Sequence, residues 1–194
     1  MTGLGFQPDL IWGFTRDGVQ SKRVIDSSRG GSARIYSDLN SAQNSTSTIS
    51  SFDSDGFTAA GSTFNNDSGK TCGAWCWRAN GGTTASNTEG SMTSTVQANT
   101  AAGFSIVTYT GDGSDGDVGH GLSSAPEFVI SKRRDGTGPW YTLHASLGVG
   151  YLEVDSTGTF QSGSVPFGSS LPTASVVGAT SANRISGQTF LLYC

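Results

Sequence analysis

Two stretches of this 194-residue chain match each other at one fixed offset, and that offset constrains the fold more than any single residue does. The stretch GLGFQPDLIWGFTRDG begins at Gly3 and aligns with GLSSAPEFVISKRRDG, which begins 118 residues later at Gly121. The same offset aligns SGKTCGAWC, from Ser68, with SGQTFLLYC, from Ser186. A repeat of this length indicates a duplicated domain rather than a short solenoid unit. A doubled scaffold of this kind favours a structural or binding protein over an enzyme.

The local pattern of residues predicts an all-β fold. No segment keeps a helical period over three turns, and short β-branched and aromatic runs alternate with Gly, Asn, Asp and Pro, as in a sandwich or barrel. Charged residues make up only 13%, but ten Phe, four Trp and five Tyr argue for a folded chain rather than a disordered one. The clearest predicted strands are Asp9–Phe14, Thr71–Trp77, Phe104–Thr110, Glu127–Lys132 and Thr189–Cys194. Several of them are apolar on both faces, which predicts central strands.

The repeat predicts two modules joined by a connection. We place the first β-sandwich repeat at residues 1–79, a polar link at 80–102 and the second repeat at 103–194. The start of the link resembles a flexible linker, and the alternation in Met92–Val96 predicts one short strand. The predicted strand Phe104–Thr110 precedes the second repeat, whereas the first repeat has no equivalent ahead of it. We therefore expect an unpaired edge in the first module, covered by the link, a second protomer or another protein.

Charge and hydropathy exclude two classes of partner. The formal net charge is −4, and the densest basic cluster is Lys132-Arg133-Arg134, which is too small for a nucleic-acid footprint. The longest apolar runs are a few residues, too short for a membrane span. The first residues carry no basic segment followed by an apolar core, so we expect no signal peptide there.

The three cysteines indicate core positions rather than a metal site or a disulfide. Cys72 and Cys76 lie on one predicted strand with Cα atoms about 13 Å apart, beyond disulfide reach. Cys76 and Cys194 occupy equivalent positions in the repeat, and the equivalent of Cys72 is Phe190. The cysteines are therefore expected to be small buried side chains. No Cys or His partner lies at ligand spacing, and we assign neither a metal nor a cofactor.

The histidines do not indicate catalysis. A hydrolase needs Ser, His and an acid within mutual reach, and Ser146 lies only two residues from His144 along the chain. The repeat counterparts of His120 and His144 are Thr2 and Asp26, so the two copies do not share a histidine. We therefore assign no catalytic residue.

Two short patterns have ordinary explanations. The loop GDGSDGDVG, Gly111–Gly119, is rich enough in aspartate to bind calcium, but it lacks the distal glutamate of an EF-hand and is also ordinary turn material. Asn44-Ser45-Thr46 and Asn66-Asp67-Ser68 match the glycosylation pattern, which chance alone produces in a chain rich in Asn, Ser and Thr.

One group of residues is a candidate for a partner- or glycan-binding patch. It combines basic and aromatic residues near the second Asp-Gly turn: Arg133, Arg134, Asp135, Trp140 and Tyr141. The alternative is that Trp140 or Tyr141 packs across the hairpin as a core or cross-strand residue. The other tryptophans lie in the strongest predicted strands and are expected in the core: Trp12, Trp75 and Trp77.

Several long segments resemble a repeat of virion proteins from marine tailed phages. The resemblance is carried by GLGFQPDLIW, DSSRG, FDSDGFT and SGKTCGAWCWRA, and by GFSIVTYTGDG with the following VGHGL, AP and SKRRDGTGPWYTLHASLG. It covers nearly the whole chain and implies a viral structural protein built of jelly-roll or concanavalin-like β-sandwich modules in tandem. It brings no catalytic residues and no cofactor with it.

The expected function is that of a non-enzymatic virion component on a tail appendage or the capsid exterior, serving host-surface adhesion or decoration. The expected partners are other virion proteins, further copies of the chain and a host-surface glycan. Nucleic acid and membrane insertion are not expected. The alternative is a free carbohydrate-binding, lectin-like module, which needs a concave site with an aromatic platform. A glycan-cleaving enzyme would need two carboxylates about 5–10 Å apart in a cleft, and no such pair is evident.

Overall fold

The computed structural model describes residues 1–61 and 68–194, so Asn66 and Asp67 of the second glycosylation pattern lie outside the described residues. Its one described helix is a single 3-10 turn, Ala145–Leu147, and the rest of the regular structure is β-strand. The all-β prediction is confirmed. The strands are β1 (Leu10–Thr15), β2 (Arg23–Asp26), β3 (Ala33–Tyr36), β4 (Asn44–Ser45), β5 (Ile49–Asp53), β6 (Gly56–Ala59), β7 (Cys72–Trp77), β8 (Ala85–Asn87), β9 (Ser94–Asn99), β10 (Phe104–Thr110), β11 (Gly116–Gly119), β12 (Phe128–Arg133), β13 (Trp140–His144), β14 (Gly150–Glu153), β15 (Gln161–Ser162), β16 (Val176–Ala179) and β17 (Thr189–Tyr193). In the part of the chain that the structure describes, no helix is both long and apolar enough to cross a membrane.

Two large antiparallel sheets contain most of the strands. The five-stranded sheet has the order β4-β3-β2-β1-β7, and the eight-stranded sheet has the order β15-β14-β13-β12-β17-β10-β9-β8. Two small sheets, β5-β6 and β11-β16, complete the described strands. The order of the first five strands of the larger sheet matches that of the smaller sheet, strand for strand.

The matching strands start 117 or 118 residues apart, so the offset seen in the sequence also orders the two sheets. The hydrogen bonds recur with the same spacing. The amide of Thr71 binds the Asp17 carboxylate at 2.9 Å, and the amide of Thr189 binds the Asp135 carboxylate at 2.7 Å. These carboxylates belong to the two predicted Asp-Gly turns, and each ties its turn to the strand across the sheet.

The two large sheets pack face to face through one shared apolar core. It contains Leu10, Val24 and Ile35 from the five-stranded sheet and Ile106, Ile130, Trp140, Leu191 and Tyr193 from the eight-stranded sheet. Two further cores cover the outer faces. The β5-β6 hairpin supplies Ile49 and Phe57 to a core with Ile11 and Ile25, and β11-β16 supplies Val118 and Val177 to a core with Val107 and Phe190. The fold is thus a four-layer stack in which the two large inner sheets have an apolar core on each face, as predicted for their central strands.

The segment predicted as a polar link, 80–102, carries two strands. β9 pairs with β10 along its whole length, from Asn99 opposite Phe104 to Ser94 opposite Tyr109, and β8 pairs with β9. The short strand expected around Met92–Val96 corresponds to β9. The start of the segment, expected to be flexible, is instead bound to the sandwich, because the amide of Gly82 donates to the buried side chains of Asp9 and Gln97, at 2.9 and 2.8 Å.

Candidate functional site: an aromatic sheet edge

The five residues of the predicted patch do not form one exposed surface. Trp140 is only 1% exposed, and its indole nitrogen donates to the carbonyls of Tyr36 and Leu39, at 2.8 and 3.2 Å. Tyr141, the next residue on β13, points to the opposite face and packs edge-on against Tyr151, with ring centroids 5.1 Å apart. Trp140 belongs to the core between the sheets and Tyr141 packs against the core on the other face, which corrects the prediction.

The charged residues of that patch bind other parts of the chain. Arg133 donates to Asp135 at 2.9 Å and also bonds Gln188, while Arg134 donates to Gln43 at 3.1 Å. These contacts tie the turn after β12 to strands and loops around it. The guanidinium groups of Arg133 and Arg134 are therefore used in structural contacts within the chain.

Lys132 is the unexpected charge in this region, because it lies in the core between the sheets with no exposed surface. Its ammonium donates to the carbonyls of Asn40 and Gly138 and lies 5.9 Å from the centre of the Trp140 ring. Burial lowers the pKa of Lys132 to about 8. The residue joins the two sheets at the cost of keeping an amine away from water.

The exposed tryptophans lie instead on β7. Trp75 is 56% exposed and Trp77 is 37% exposed, although both were expected in the core. Trp75 packs edge-on against Trp12, with centroids 5.9 Å apart, and against Phe14 at 5.0 Å. We call the four residues Trp12, Phe14, Trp75 and Trp77 the aromatic cluster.

The exposure follows from the position of β7 at the end of its sheet. β7 pairs with β1 from Leu10 opposite Trp77 to Thr15 opposite Cys72, and no strand of the described residues pairs with its other side. In the larger sheet the counterpart of β7 is β17, which is paired on both sides, with β12 and β10. Tyr193 of β17 occupies the position that corresponds to Trp75 and is almost completely buried.

The aromatic cluster depends on a glycine opposite Phe14. A Cβ atom at Gly73 would lie 2.7 Å from the Phe14 ring, closer than such contacts normally come, so the ring occupies the space above this residue. The counterpart of Gly73 is Leu191, a core residue. At these two repeat positions the eight-stranded sheet has Leu191 and Lys132, whereas the five-stranded sheet has Gly73 and Phe14.

A cavity of about 460 Å³ lies beside the aromatic cluster, between the two sheets. Trp12 and Trp77 line it from the first sheet, and Phe104 and Tyr193 from the second. Trp77 and Phe104 face each other with centroids 6.4 Å apart. The cavity is mostly apolar, with Glu127 and Ser124 among its polar lining residues.

A buried charged cluster holds the two sheets together near this cavity. The Asp26 carboxylate accepts hydrogen bonds from Arg29 Nε at 2.6 Å and from the Tyr193 hydroxyl at 2.7 Å. Arg29 also donates to the Tyr193 hydroxyl at 3.2 Å. Burial raises the pKa of Tyr193 well above its ordinary value, so the phenol stays protonated and donates. For Arg29, burial opposes the charge, but attraction to Asp26 outweighs it and leaves the Arg29 pKa raised.

Asp9 is a second buried carboxylate, and the chain itself supplies its hydrogen bonds. It accepts from the amides of Ala79 at 2.7 Å, Gly81 at 2.9 Å and Gly82 at 2.9 Å, and from the Ser27 hydroxyl at 2.7 Å. With its oxygens occupied in this way, Asp9 fixes the turn after β7 and has no open position for acid–base chemistry.

Both histidine side chains form hydrogen bonds with backbone groups. His144 Nδ1 accepts from the Ser146 amide at 3.3 Å and caps the short 3-10 helix, and the Ser146 hydroxyl lies 2.8 Å from the same nitrogen. Within the described ranges, no acid is hydrogen-bonded to His144, so the pair lacks the third member of a triad. The His120 ring is buried between the Leu122 amide and the Thr173 carbonyl, and burial lowers the pKa of His120.

The aspartate-rich loop is also occupied by protein contacts. Asp112 forms a bidentate pair with Arg184, at 2.6 and 2.7 Å, and Asp117 accepts from the Ser91 amide at 2.7 Å. Hydrogen bonds from Arg184 hold the pKa of Asp112 at about 2. In residues 1–61 and 68–194, no group of three or more His, Cys, Asp or Glu side chains is arranged to hold a metal ion.

The arrangement at β7 is an apolar, aromatic surface beside a backbone edge that is unpaired among the described residues. The sequence signal for this site is the strand Phe104–Thr110, which has no counterpart in the first copy of the repeat within residues 1–194. In the larger sheet β10 pairs with β17, whereas no described strand takes that place beside β7, and the tryptophans of an edge strand have less cover than those of a central strand.

The comparisons with known proteins identify a family without an assigned activity. The family model of DUF7483, described as a domain of unknown function, matches residues 1–194. No curated protein matches the chain significantly, and no solved structure does. Because the match extends over all 194 residues, the chain belongs to the DUF7483 family.

Proposed function

We propose that this chain is a non-enzymatic structural protein of a bacteriophage virion, on a tail appendage or the capsid exterior, and that it associates with neighbouring chains through β7. The observation that carries the proposal is the exposure of Trp75 and Trp77 on a strand that is unpaired on one side among the described residues. Exposed aromatic residues are favoured anchors at protein interfaces, and an open strand edge is a template for a further strand.

The two matching sheets support a structural role. We propose that they are two copies of one module, related as the jelly-roll or concanavalin-like repeats of the marine phage proteins that the sequence resembles. The two copies are joined by the shared apolar core. Buried polar contacts join them as well, namely the Asp26–Arg29–Tyr193 cluster and the hydrogen bond from Lys132 to the Asn40 carbonyl. The virion location follows from the resemblance, and host-surface adhesion or decoration is the task that an exposed face there would perform.

The test is self-association measured by sedimentation velocity over a range of protein concentrations. We expect the wild type to associate reversibly, and Trp75→Ser to shift the equilibrium towards monomer, because the variant removes the most exposed ring of the aromatic cluster. Ile185→Ser is the matched control, since Ile185 is also an exposed apolar residue, at 42%, but lies outside the cluster. A wild type that stays monomeric at every concentration, with the β7 amides protected from hydrogen exchange, would contradict the proposal.

A lectin-like module is the second candidate, because an exposed indole such as Trp75 is also a stacking platform for sugars. A lectin should bind a glycan array as a monomer and lose that binding in Trp75→Ser. The adjoining cavity favours the structural role, since its lining is mostly apolar rather than rich in groups that hydrogen-bond sugars.

A further inference from the structure

We infer that the outer edge of β7 accepts an antiparallel strand with the residue pattern of β10, in the register that β10 adopts on β17. The inference deepens the proposed function and rests on it, since the strand would come from a neighbour in the assembly. Its chemistry is specified by Phe104–Thr110, FSIVTYT, which is uncharged and alternates aromatic or β-branched residues on both faces.

The template is the pairing inside the larger sheet. β10 lies antiparallel to β17, with Ile106 opposite Tyr193 and Tyr109 opposite Phe190. Beyond the end of β17, the amide and carbonyl of Cys194 exchange hydrogen bonds with Ser105, at 3.0 and 2.9 Å. Each of these positions on β17 has a counterpart on β7.

Replacing each residue of β17 by its repeat equivalent on β7 gives a specific arrangement for the added strand. A residue in the place of Ile106 would lie opposite Trp75, and one in the place of Ser105 would lie opposite Cys76. Trp75 packs on Trp12, towards the core between the sheets, whereas Cys76 packs against the β5-β6 core. An added strand would therefore extend both cores, as β10 does beside β17.

The other edges of the two large sheets do not offer such a site. β4 and β15 are two residues long and β8 is three, which is how natural proteins shorten exposed edges to prevent pairing. β7 has six residues, none of them charged, so no lysine or acid opposes a partner strand. The edge is also continuous with the cavity between the sheets, through Trp77 and Phe104.

The two cysteines of β7 make the register measurable by cross-linking. The probes are two synthetic peptides with the sequence of residues 103–113, one carrying Ser105→Cys and the other Tyr109→Cys. In the inferred register, the first cysteine lies opposite Cys76 and the second opposite Cys72. Opposed Cα atoms on antiparallel strands are about 4.5–5.5 Å apart, within disulfide range. The experiment uses the whole chain, diluted until it is monomeric, with a thiol–disulfide exchange buffer and mass spectrometry of the linked fragments.

We expect the Ser105→Cys peptide to link to Cys76 and the Tyr109→Cys peptide to link to Cys72. Cys76→Ser in the protein should abolish the first link and leave the second, and Cys72→Ser should do the reverse. These paired losses exclude simple reactivity as the cause, because Cys72 is exposed and Cys76 is partly buried.

Three results would overturn the inference. Both peptides linking to Cys72 would mean that exposure decides the product. Linking to Cys194 would mean that the peptide displaces β10 from its own sheet. A Cys76–Cys76 dimer without peptide capture would mean that a second copy of β7 occupies the edge. The cross-linking experiment uses monomeric protein, so its failure would not change the sedimentation result. Equally, an absence of self-association in sedimentation would not change the cross-linking result.

Discussion

Tyr193→Phe tests whether the buried charged cluster holds the two sheets together. The substitution keeps the ring and removes one hydroxyl, which donates to Asp26 at 2.7 Å and accepts from Arg29 at 3.2 Å. A hydrogen bond to a charged group contributes about 1.5–3 kcal/mol to the free energy of unfolding. The substitution loses this contribution because the buried Asp26 carboxylate is left without one of its donors. We expect Tyr193→Phe to lower the free energy of unfolding by about 2 kcal/mol.

Tyr109→Phe is a closely matched control. Tyr109 is as buried as Tyr193, and its hydroxyl donates at 2.8 Å to a neutral acceptor, the Asn183 carbonyl. A neutral hydrogen bond contributes about 1 kcal/mol, so the control should lose about half as much stability. In urea unfolding with a slope of about 2 kcal/mol/M, the midpoint should fall by about 1 M for Tyr193→Phe and about 0.5 M for Tyr109→Phe, with slopes unchanged. A loss in Tyr109→Phe equal to or greater than that in Tyr193→Phe would refute a special contribution of the charged cluster.

Three further outcomes are expected. Lys132→Met should have its greatest stability advantage over the wild type below pH 8, where the wild type must bury a charged amine. As pH rises to 10.5, the free energy of unfolding of the wild type should increase by about 3 kcal/mol relative to the variant, because in this range the unfolded chain binds a proton that the folded chain has lost. A difference that does not change with pH would contradict this. Arg184→Gln should raise the pKa of Asp112 from about 2 towards its ordinary 3.8 in an NMR titration, and should remove the stability that the wild type loses as pH falls through this range; an unmoved pKa would refute the role of Arg184. In the native protein a thiol reagent should modify exposed Cys72 and spare Cys194, whose burial raises its pKa to about 12, and equal labelling rates would oppose this.

The strands of the repeat could be predicted because their residues carry the pattern locally. Leu10–Thr15 and Phe128–Arg133 are apolar on both faces, and each is a central strand. The segment 80–102 was harder to place, because its Ser, Thr and Asn residues resemble a linker. Its strands β8 and β9 are stabilised by pairing with β10, which the local sequence does not show.

The tryptophans show why the candidate site was misplaced. Trp75 lies in a predicted strand and Trp140 follows the second Asp-Gly turn, and the local sequence does not show which of the two is covered. Trp140 is buried because the other sheet covers it and supplies carbonyl acceptors for its indole. Trp75 is exposed because no described strand lies beyond β7. The Asp26–Arg29–Tyr193 cluster was missed for a similar reason, since its partners come from different sheets and are up to 167 residues apart.

The position of β17 has a consequence for how the chain folds. β17 follows every other described strand in sequence, yet it lies in the interior of the eight-stranded sheet, between β12 and β10. Until it arrives, β10 and β12 have no partner on that side, and the loop between β10 and β17 must close over 78 intervening residues, from 111 to 188. Contacts of such long range slow folding, and they leave apolar strands open to wrong pairing in the meantime. The insertion of β17 is therefore the step at which we expect the sandwich to become cooperative, and the step at which an incomplete chain would aggregate.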